Sequence, residues 1–172
     1  MPSPPEGSQR FVVQRHRATR LHYDLRLEAG GVLISWAVPK GPTLDPKVRR
    51  LAVHVEDHAL DHFDFEGVIP AGKVGGGDVI VWDWGTWSAD DPDLDLAAAV
   101  RGGDVHVDLR GEKLAGRFVL VRRGEQRGGK EQWLLLHKHD DHAVPGWDPE
   151  ANGRSVKTGR TNEEVAADPD RR

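Results

Sequence analysis

Residues 21–28 read Leu21-His22-Tyr23-Asp24-Leu25-Arg26-Leu27-Glu28, with apolar and polar side chains alternating without a break. A strand sends successive side chains to opposite faces. Leu21, Tyr23, Leu25 and Leu27 therefore form one face, and His22, Asp24, Arg26 and Glu28 form the other. The solvated face of a strand more usually carries Thr, Ser, Lys and Glu. An imidazole, a carboxylate and a guanidinium in register instead point to a metal beside a bound anion.

Further strand-like runs follow at short spacing on both sides, over residues 11–14, 32–38, 51–58, 78–82, 106–109, 117–122 and 132–137. Turn signals separate them, including Gly30-Gly31, Pro39-Lys40-Gly41-Pro42, Gly75-Gly76-Gly77 and Gly128-Gly129. Asp91 as N-cap and Gly102-Gly103 as a stop predict a helix over residues 92–100, and residues 162–167 make a further helical turn. The chain is thus mainly β, with about eight strands and one or two short helices. Two packed sheets or a small closed barrel would remove the exposed edges. Residues 1–9 read as a flexible tail rich in Pro, Ser and Gly, residues 10–150 as the folded domain, and residues 151–172 as a polar, partly ordered C-terminal segment.

The 172 residues suit one domain with a real core, at 37 % hydrophobic and 30 % charged. The absence of cysteine excludes disulfides and thiolate metal sites. No apolar run approaches the roughly 18 residues of a membrane span, and the N-terminus carries no apolar signal segment. The expectation is a soluble, unexported, cytoplasmic protein with no membrane partner. A net charge of −4 argues against a generic nucleic-acid coat. Yet Arg10, Arg15, Arg17, Arg20 and Arg26 crowd together, with Lys47, Arg49 and Arg50 close behind. Such a surface can hold phosphates even on an acidic protein.

Nine histidines are present. His22 and Asp24 are neighbours on one strand face, and His16 can join them if residues 17–20 turn the chain back. Two imidazoles and one carboxylate suit Mn²⁺, Fe²⁺ or Zn²⁺ and leave positions for water and substrate. In residues 51–58, Leu51, Val53 and Val55 alternate with His54, Glu56 and His58. His58 can face an oxyanion, and Glu56 can orient a ligand or a basic side chain from behind. His54 reads as structural. His62 follows His58 by four residues, a spacing that meets on a helical turn and otherwise marks a surface residue.

Arg26 is the natural phosphate clamp, because its planar fork bonds two oxygens at once. The competing reading is a salt bridge with Glu28 or another acid. Lys40 and Arg50 are secondary candidates for guiding a polyanion. The six tryptophans invite a base-stacking reading, but most sit in strand-like runs and read as core. Gly75-Gly76-Gly77 lacks the Lys-Ser/Thr signature of a phosphate loop, and His137, His139 and His142 share no ligand register.

Several segments together resemble a known family. Phe11-Val-Val-Gln-Arg-His-Arg-Ala-Thr-Arg-Leu-His-Tyr-Asp-Leu-Arg-Leu-Glu28 is similar to the signature of the 3′-phosphoesterase domain of bacterial DNA ligase D. So are Ser35-Trp-Ala-Val-Pro-Lys-Gly-Pro42, Leu51-Ala-Val-His-Val-Glu-Asp-His58, Phe65-Glu-Gly-Val-Ile-Pro70, Val79-Ile-Val-Trp-Asp-Trp-Gly-Thr-Trp87 and Ser155-Val-Lys-Thr-Gly-Arg-Thr-Asn-Glu-Glu-Val-Ala166. The resemblance implies a compact β-barrel that uses Mn²⁺ to heal DNA 3′ ends. A phosphodiesterase step would remove a terminal 3′ ribonucleoside, and a phosphomonoesterase step would then release the 3′-phosphate. Motif by motif, it implies His16, His22 and Asp24 as metal ligands and Arg26 and His58 as phosphate-binding catalytic residues. Gln14 and Glu56 would support them, with Lys40 and Arg50 near the groove.

One position departs. The family commonly carries a Tyr four residues after the Glu-Asp-His motif, where this chain has His62. His58 or His62 would protonate the leaving oxygen. The family domain is usually fused to polymerase and ligase modules. This chain carries neither and resembles either the free-standing form or a domain excised from a longer protein, with DNA ligase, polymerase or Ku-type end-joining proteins as partners at DNA breaks. Two rivals remain. A non-haem iron oxygenase would use His22-x-Asp24 with His58, and a non-catalytic DNA-end module would bind ends without processing them.

Overall fold

A computed structural model describes residues 2–73 and 76–169 of the chain. Met1, Gly75 and residues 170–172, which belong to the expected tail, glycine turn and C-terminal segment, lie outside them. Nine strands form: β1 Arg10–Arg17, β2 Leu21–Ala29, β3 Val32–Val38, β4 Arg49–His58, β5 Gly67–Ile69, β6 Gly77–Ser88, β7 Asp104–Gly111, β8 Ala115–Arg127 and β9 Lys130–His137. They run in the order β1-β2-β3-β4-β9-β8-β7-β6, and β1 pairs again with β6. Eight antiparallel strands thus close into a barrel. The other edge of β6 is shared, with β5 on residues 77–79 and β7 on residues 85–88.

The alternation in residues 21–28 decides which way each strand faces. Tyr23, Leu25 and Leu27 join Phe11, Val13, Ile34, Trp36, Val38, Trp82, Phe118, Leu120, Trp133 and Leu135 in the main buried cluster. Trp36 meets Trp133 edge-on at 5.5 Å, and Tyr23 meets Trp82 at 5.3 Å. Five of the six tryptophans are buried, so their large apolar area serves packing, as the sequence reading expected.

Two helices accompany the barrel, α1 Leu96–Gly102 and α2 Asn162–Ala167. The expected start of α1 at residue 92 is corrected. Asp91 instead caps a turn, accepting from the Asp93 N–H at 2.9 Å, and Asp95 is the N-cap, accepting from Ala98. Both aspartates carry the same local signal, and Pro92 suits a turn as well as a first helical residue. Gly103, at φ 77°, ends the helix in the left-handed region that glycine enters without penalty. Among the described residues no helix is long and apolar enough to cross a membrane.

Three departures from regular pairing matter. In β6, Val13 pairs Asp83 while Gln14 pairs Val81, so Trp82 is an extra residue. This bulge lets Trp82 and Asp83 both turn inward. Asp83 is fully buried and accepts the N–H groups of Glu112, Lys113 and Leu114 at 2.9, 3.2 and 2.8 Å. A second bulge lies in β4, where Ser35 pairs Val55 but Leu33 pairs His58. The uninterrupted alternation expected over residues 51–58 is thereby corrected. His58 leaves the face of His54 and Glu56 and joins that of Val53 and Val55. The third is a register shift between β8 and β9.

Candidate metal centre

The polar face of β2 meets the outer face of β1, residue against residue. His22 pairs His16, Asp24 pairs Gln14, and Arg26 pairs Val12. On the other side Arg26 pairs Ser35 of β3. A second apolar cluster of Val12, Leu33, Phe63, Val81 and Trp84, with Leu60 and Val156 packed against it, shares this side of the sheet. Asp24, Arg26 and His16 are buried at 7 %, 3 % and 6 % exposure, while His22 is partly exposed.

His16, His22 and Asp24 bring one ligand atom each within 4.8 Å of one another. Among the described residues they are the one such group. The two rings sit 4.9 Å apart, and Asp24 Oδ2 lies 3.2 Å from His22 Nε2 and 3.9 Å from His16 Nδ1. His22 Nδ1 lies 3.2 Å from the Arg20 carbonyl oxygen. In a neutral ring Nδ1 therefore donates to that carbonyl, and the Nε2 lone pair is aimed at a carboxylate. A cation between nitrogen and oxygen satisfies both, and the carbonyl behind the ring fixes its tautomer. The donor set fits a divalent transition metal. Without a cation the arrangement favours a proton. Burial opposes charge on His22, but the Asp24 hydrogen bond and charge outweigh it and raise its pKa. Burial likewise pushes the Asp24 carboxyl up, and the His22 hydrogen bond with the Arg26 charge brings it below its ordinary value.

Arg26 is held on every side. Nε donates to Gln14 Oε1 at 2.7 Å, Nη1 donates to Ser35 Oγ at 3.0 Å, and Nη2 lies 3.4 Å from Asp24 Oδ2. The competing salt bridge does not form with Glu28, which takes Arg10 at 3.0 and 3.1 Å, but it does form with another acid, Asp24. Nη1 also lies 3.0 Å from His58 Nδ1. A guanidinium has no lone pair, so this contact calls for an unprotonated Nδ1, whereas the Glu56 carbonyl oxygen, 3.1 Å from the same nitrogen, calls for a proton there; the two contacts favour opposite tautomers of the neutral ring. Burial first and the Arg26 charge second lower the His58 pKa. The His62 ring is 5.0 Å from that of His58 and stacks on Phe65 at 5.4 Å. Burial, Arg26 and His58 together push its pKa down to about 4.

Gln14 joins two parts of the site. Its Oε1 accepts from Arg26, and its Nε2 donates to the carbonyl oxygens of His62 and Phe65 at 2.9 and 3.2 Å. Glu56 is exposed on the β4 bulge, and its backbone carbonyl, not its carboxylate, lies 3.1 Å from His58 Nδ1. Lys40 is exposed in the turn after β3, and Arg50 Nε donates to the Gly41 carbonyl at 3.0 Å. Among the described residues no hydrogen bond joins Lys40 or Arg50 to the cluster. His58 is not in the ligand group, so the His22-x-Asp24…His58 triad of an oxygenase is not what the chain assembles. Sequence reasoning missed Ser35 as an anchor of Arg26, and its one signal was a hydroxyl inside the apolar run of residues 32–38. It also missed Phe65, the residue on which His62 stacks.

Residues 14–122 match the family model described as the DNA ligase D 3′-phosphoesterase domain. The chain is 54 % identical over 138 residues to the multifunctional non-homologous end joining protein LigD of Pseudomonas aeruginosa, covering 80 % of this chain and 16 % of that protein. It is 46 % identical over 121 residues to the multifunctional non-homologous end joining DNA repair protein LigD of Mycobacterium tuberculosis, covering 68 % of this chain and 15 % of that protein. It is 43 % identical over 143 residues to the LigD protein of Mycolicibacterium smegmatis, covering 78 % of this chain and 17 % of that protein. The chain thus spans about a sixth of the length of these curated relatives.

Proposed function

This chain belongs to the DNA ligase D 3′-phosphoesterase domain family, and on that premise we propose that it hydrolyses phosphate esters at DNA 3′ ends with a divalent cation, Mn²⁺ by preference. It would remove a 3′-terminal ribonucleoside, then the 3′-phosphate left behind, and leave a 3′-OH for sealing. The observation that carries this reading is the convergence of His16, His22 and Asp24 within 4.8 Å, with Arg26 bridging from Asp24 to His58. The relatives are named for non-homologous end joining. The ligase, polymerase and Ku-type proteins of that process, acting at DNA breaks inside the cell, are the partners this reading assigns.

His16, His22 and Asp24 would hold the metal, which when bound would act as a Lewis acid on a phosphate oxygen. The chain's own groups do the rest. Arg26 supplies fixed positive charge where the phosphoryl oxygens gain negative charge. Gln14 and Ser35 keep its fork from turning. In the tautomer whose Nδ1 accepts from Arg26, His58 presents Nε2–H to a phosphoryl oxygen. His58 and His62 are held neutral near pH 7 by burial and by Arg26. An approaching phosphate anion, singly charged in the diester and up to doubly charged in the 3′-phosphate, raises their proton affinity, which lets either ring take up a proton and pass it to the leaving oxygen. Lys40 and Arg50 would guide the DNA backbone from the rim.

The test is incubation of a labelled primer–template ending in one 3′ ribonucleotide, with and without Mn²⁺. The proposed function predicts a 3′-phosphate product followed by a 3′-OH product, both Mn²⁺-dependent. Arrest at the 3′-phosphate would limit the enzyme to the diesterase step and point to His62 in place of Tyr. End binding that survives EDTA, with no product in Mn²⁺, would identify a non-catalytic end-binding module instead.

A further inference from the structure

The sequence motif at residues 155–166 finds no place in the chemistry above, yet its side chains reach the site. Residues 63–66, which follow His62, belong to no helix or strand. Their shape rests on bonds from two directions. From the catalytic side, Gln14 binds the carbonyls of His62 and Phe65. From the other side, Lys157 Nζ donates to the Asp64 carbonyl at 2.7 Å. Ser155 Oγ donates to Glu66 Oε1, and Thr158 Oγ1 donates to Glu66 Oε2. The Glu66 side chain is only 2 % exposed and also accepts the Val81 N–H at 2.9 Å.

The chain end has other fastenings besides these bonds. Asn162, fully buried, already donates to the Arg15 carbonyl at 3.0 Å and to Asp78 Oδ1 at 2.8 Å. The Val156 N–H donates to the Val81 carbonyl at 2.9 Å, and a complete capping box starts α2. The three bonds from Ser155, Lys157 and Thr158 all end on residues 64–66, next to Phe65, on which the His62 ring stacks.

We propose that Ser155, Lys157 and Thr158 are positioning residues for the hydrolysis: they set the loop of residues 62–66, and through it the His62 ring, against Arg26 and His58. This rests on the proposed function, in which His62 acts at the leaving oxygen. The alternative is a clasp that stabilises the fold and does nothing for the chemistry.

Lys157 and Thr158 are exposed, so the double variant Lys157→Ala/Thr158→Val is suited to the test. Small displacements of a reacting group cost up to ~10²-fold in rate, and the expected loss here is about tenfold in kcat for 3′-phosphate release. KM for DNA and Mn²⁺ affinity should not change, and Thr158→Ser should keep full activity. In a His62→Ala background the double variant should add no further loss. An equal fractional loss in that background, a parallel loss of Mn²⁺ affinity, or an unchanged kcat would overturn the proposal. Amide exchange over residues 62–66, read without substrate, separates the two readings. An inert wild-type protein whose double variant exchanges faster loses the proposed function but keeps the tether. An active wild-type protein whose double variant shows neither faster exchange nor slower turnover has no tether.

Discussion

Arg26 concentrates the site in one side chain, because its three nitrogens engage Gln14, Ser35, His58 and Asp24 together. A lysine keeps the charge but has no planar fork to fill those positions. Arg26→Lys should therefore lower kcat by about 10²–10³-fold, the usual cost of one transition-state donor, while Mn²⁺ affinity survives. Steady-state kinetics beside a metal titration checks this. His62 gives a pH prediction. Its folded-state pKa of about 4 lies below the ordinary 6.5 of histidine, so the unfolded chain binds its proton first as pH falls. His62 costs no stability above about pH 6.5 and becomes progressively destabilising between there and about pH 4. His62→Tyr should show a shallower fall in melting temperature across that window, and identical slopes would contradict the assignment. At this scale the cluster of candidate groups was legible because His22, Asp24 and Arg26 alternate with leucines and a tyrosine. Ser35 was not, because a single hydroxyl in an apolar strand has the same local signature whether or not a guanidinium lies opposite.

Elements depend on features that a local reading of the chain does not register. The β6 bulge turns Asp83 into the interior, where burial pushes its carboxyl up to about 6 against three backbone hydrogen bonds. Those bonds hold the β7–β8 turn. Asp83→Ala leaves the N–H groups of Glu112, Lys113 and Leu114 without their acceptor, and the expected destabilisation is about 3 kcal/mol in urea unfolding. Asp83→Asn keeps one acceptor and should lose less. A wild-type midpoint for Asp83→Ala would contradict the role. The β4 bulge is the counterpart at the site. Strict alternation would have left His58 on the face of His54, and one extra residue between Val55 and His58 turns it toward Arg26. Bulges follow from how neighbouring strands fit, which is why eight strands were legible in outline and this register was not. The ninth strand, Gly67–Ile69, is too short for a periodic signal. The start of α1 was misplaced because Asp91 and Asp95 carry the same capping signal.

At the scale of the molecule, the β1–β2 pairing puts the alternating strand of residues 21–28 in the same wall as His16, and the β2–β3–β4 succession brings His58 within reach of it. His16, Asp24 and Arg26 are buried in that wall, where charge interactions are stronger than in bulk water. In the proposed function, two imidazoles and one carboxylate on neighbouring strands share a divalent cation. Titration of the protein with Mn²⁺, followed by electron paramagnetic resonance, tests it most directly. One tightly bound ion per chain is expected, abolished in His22→Ala and in Asp24→Ala, with both variants still folded by circular dichroism. Full Mn²⁺ occupancy in both folded variants would contradict it.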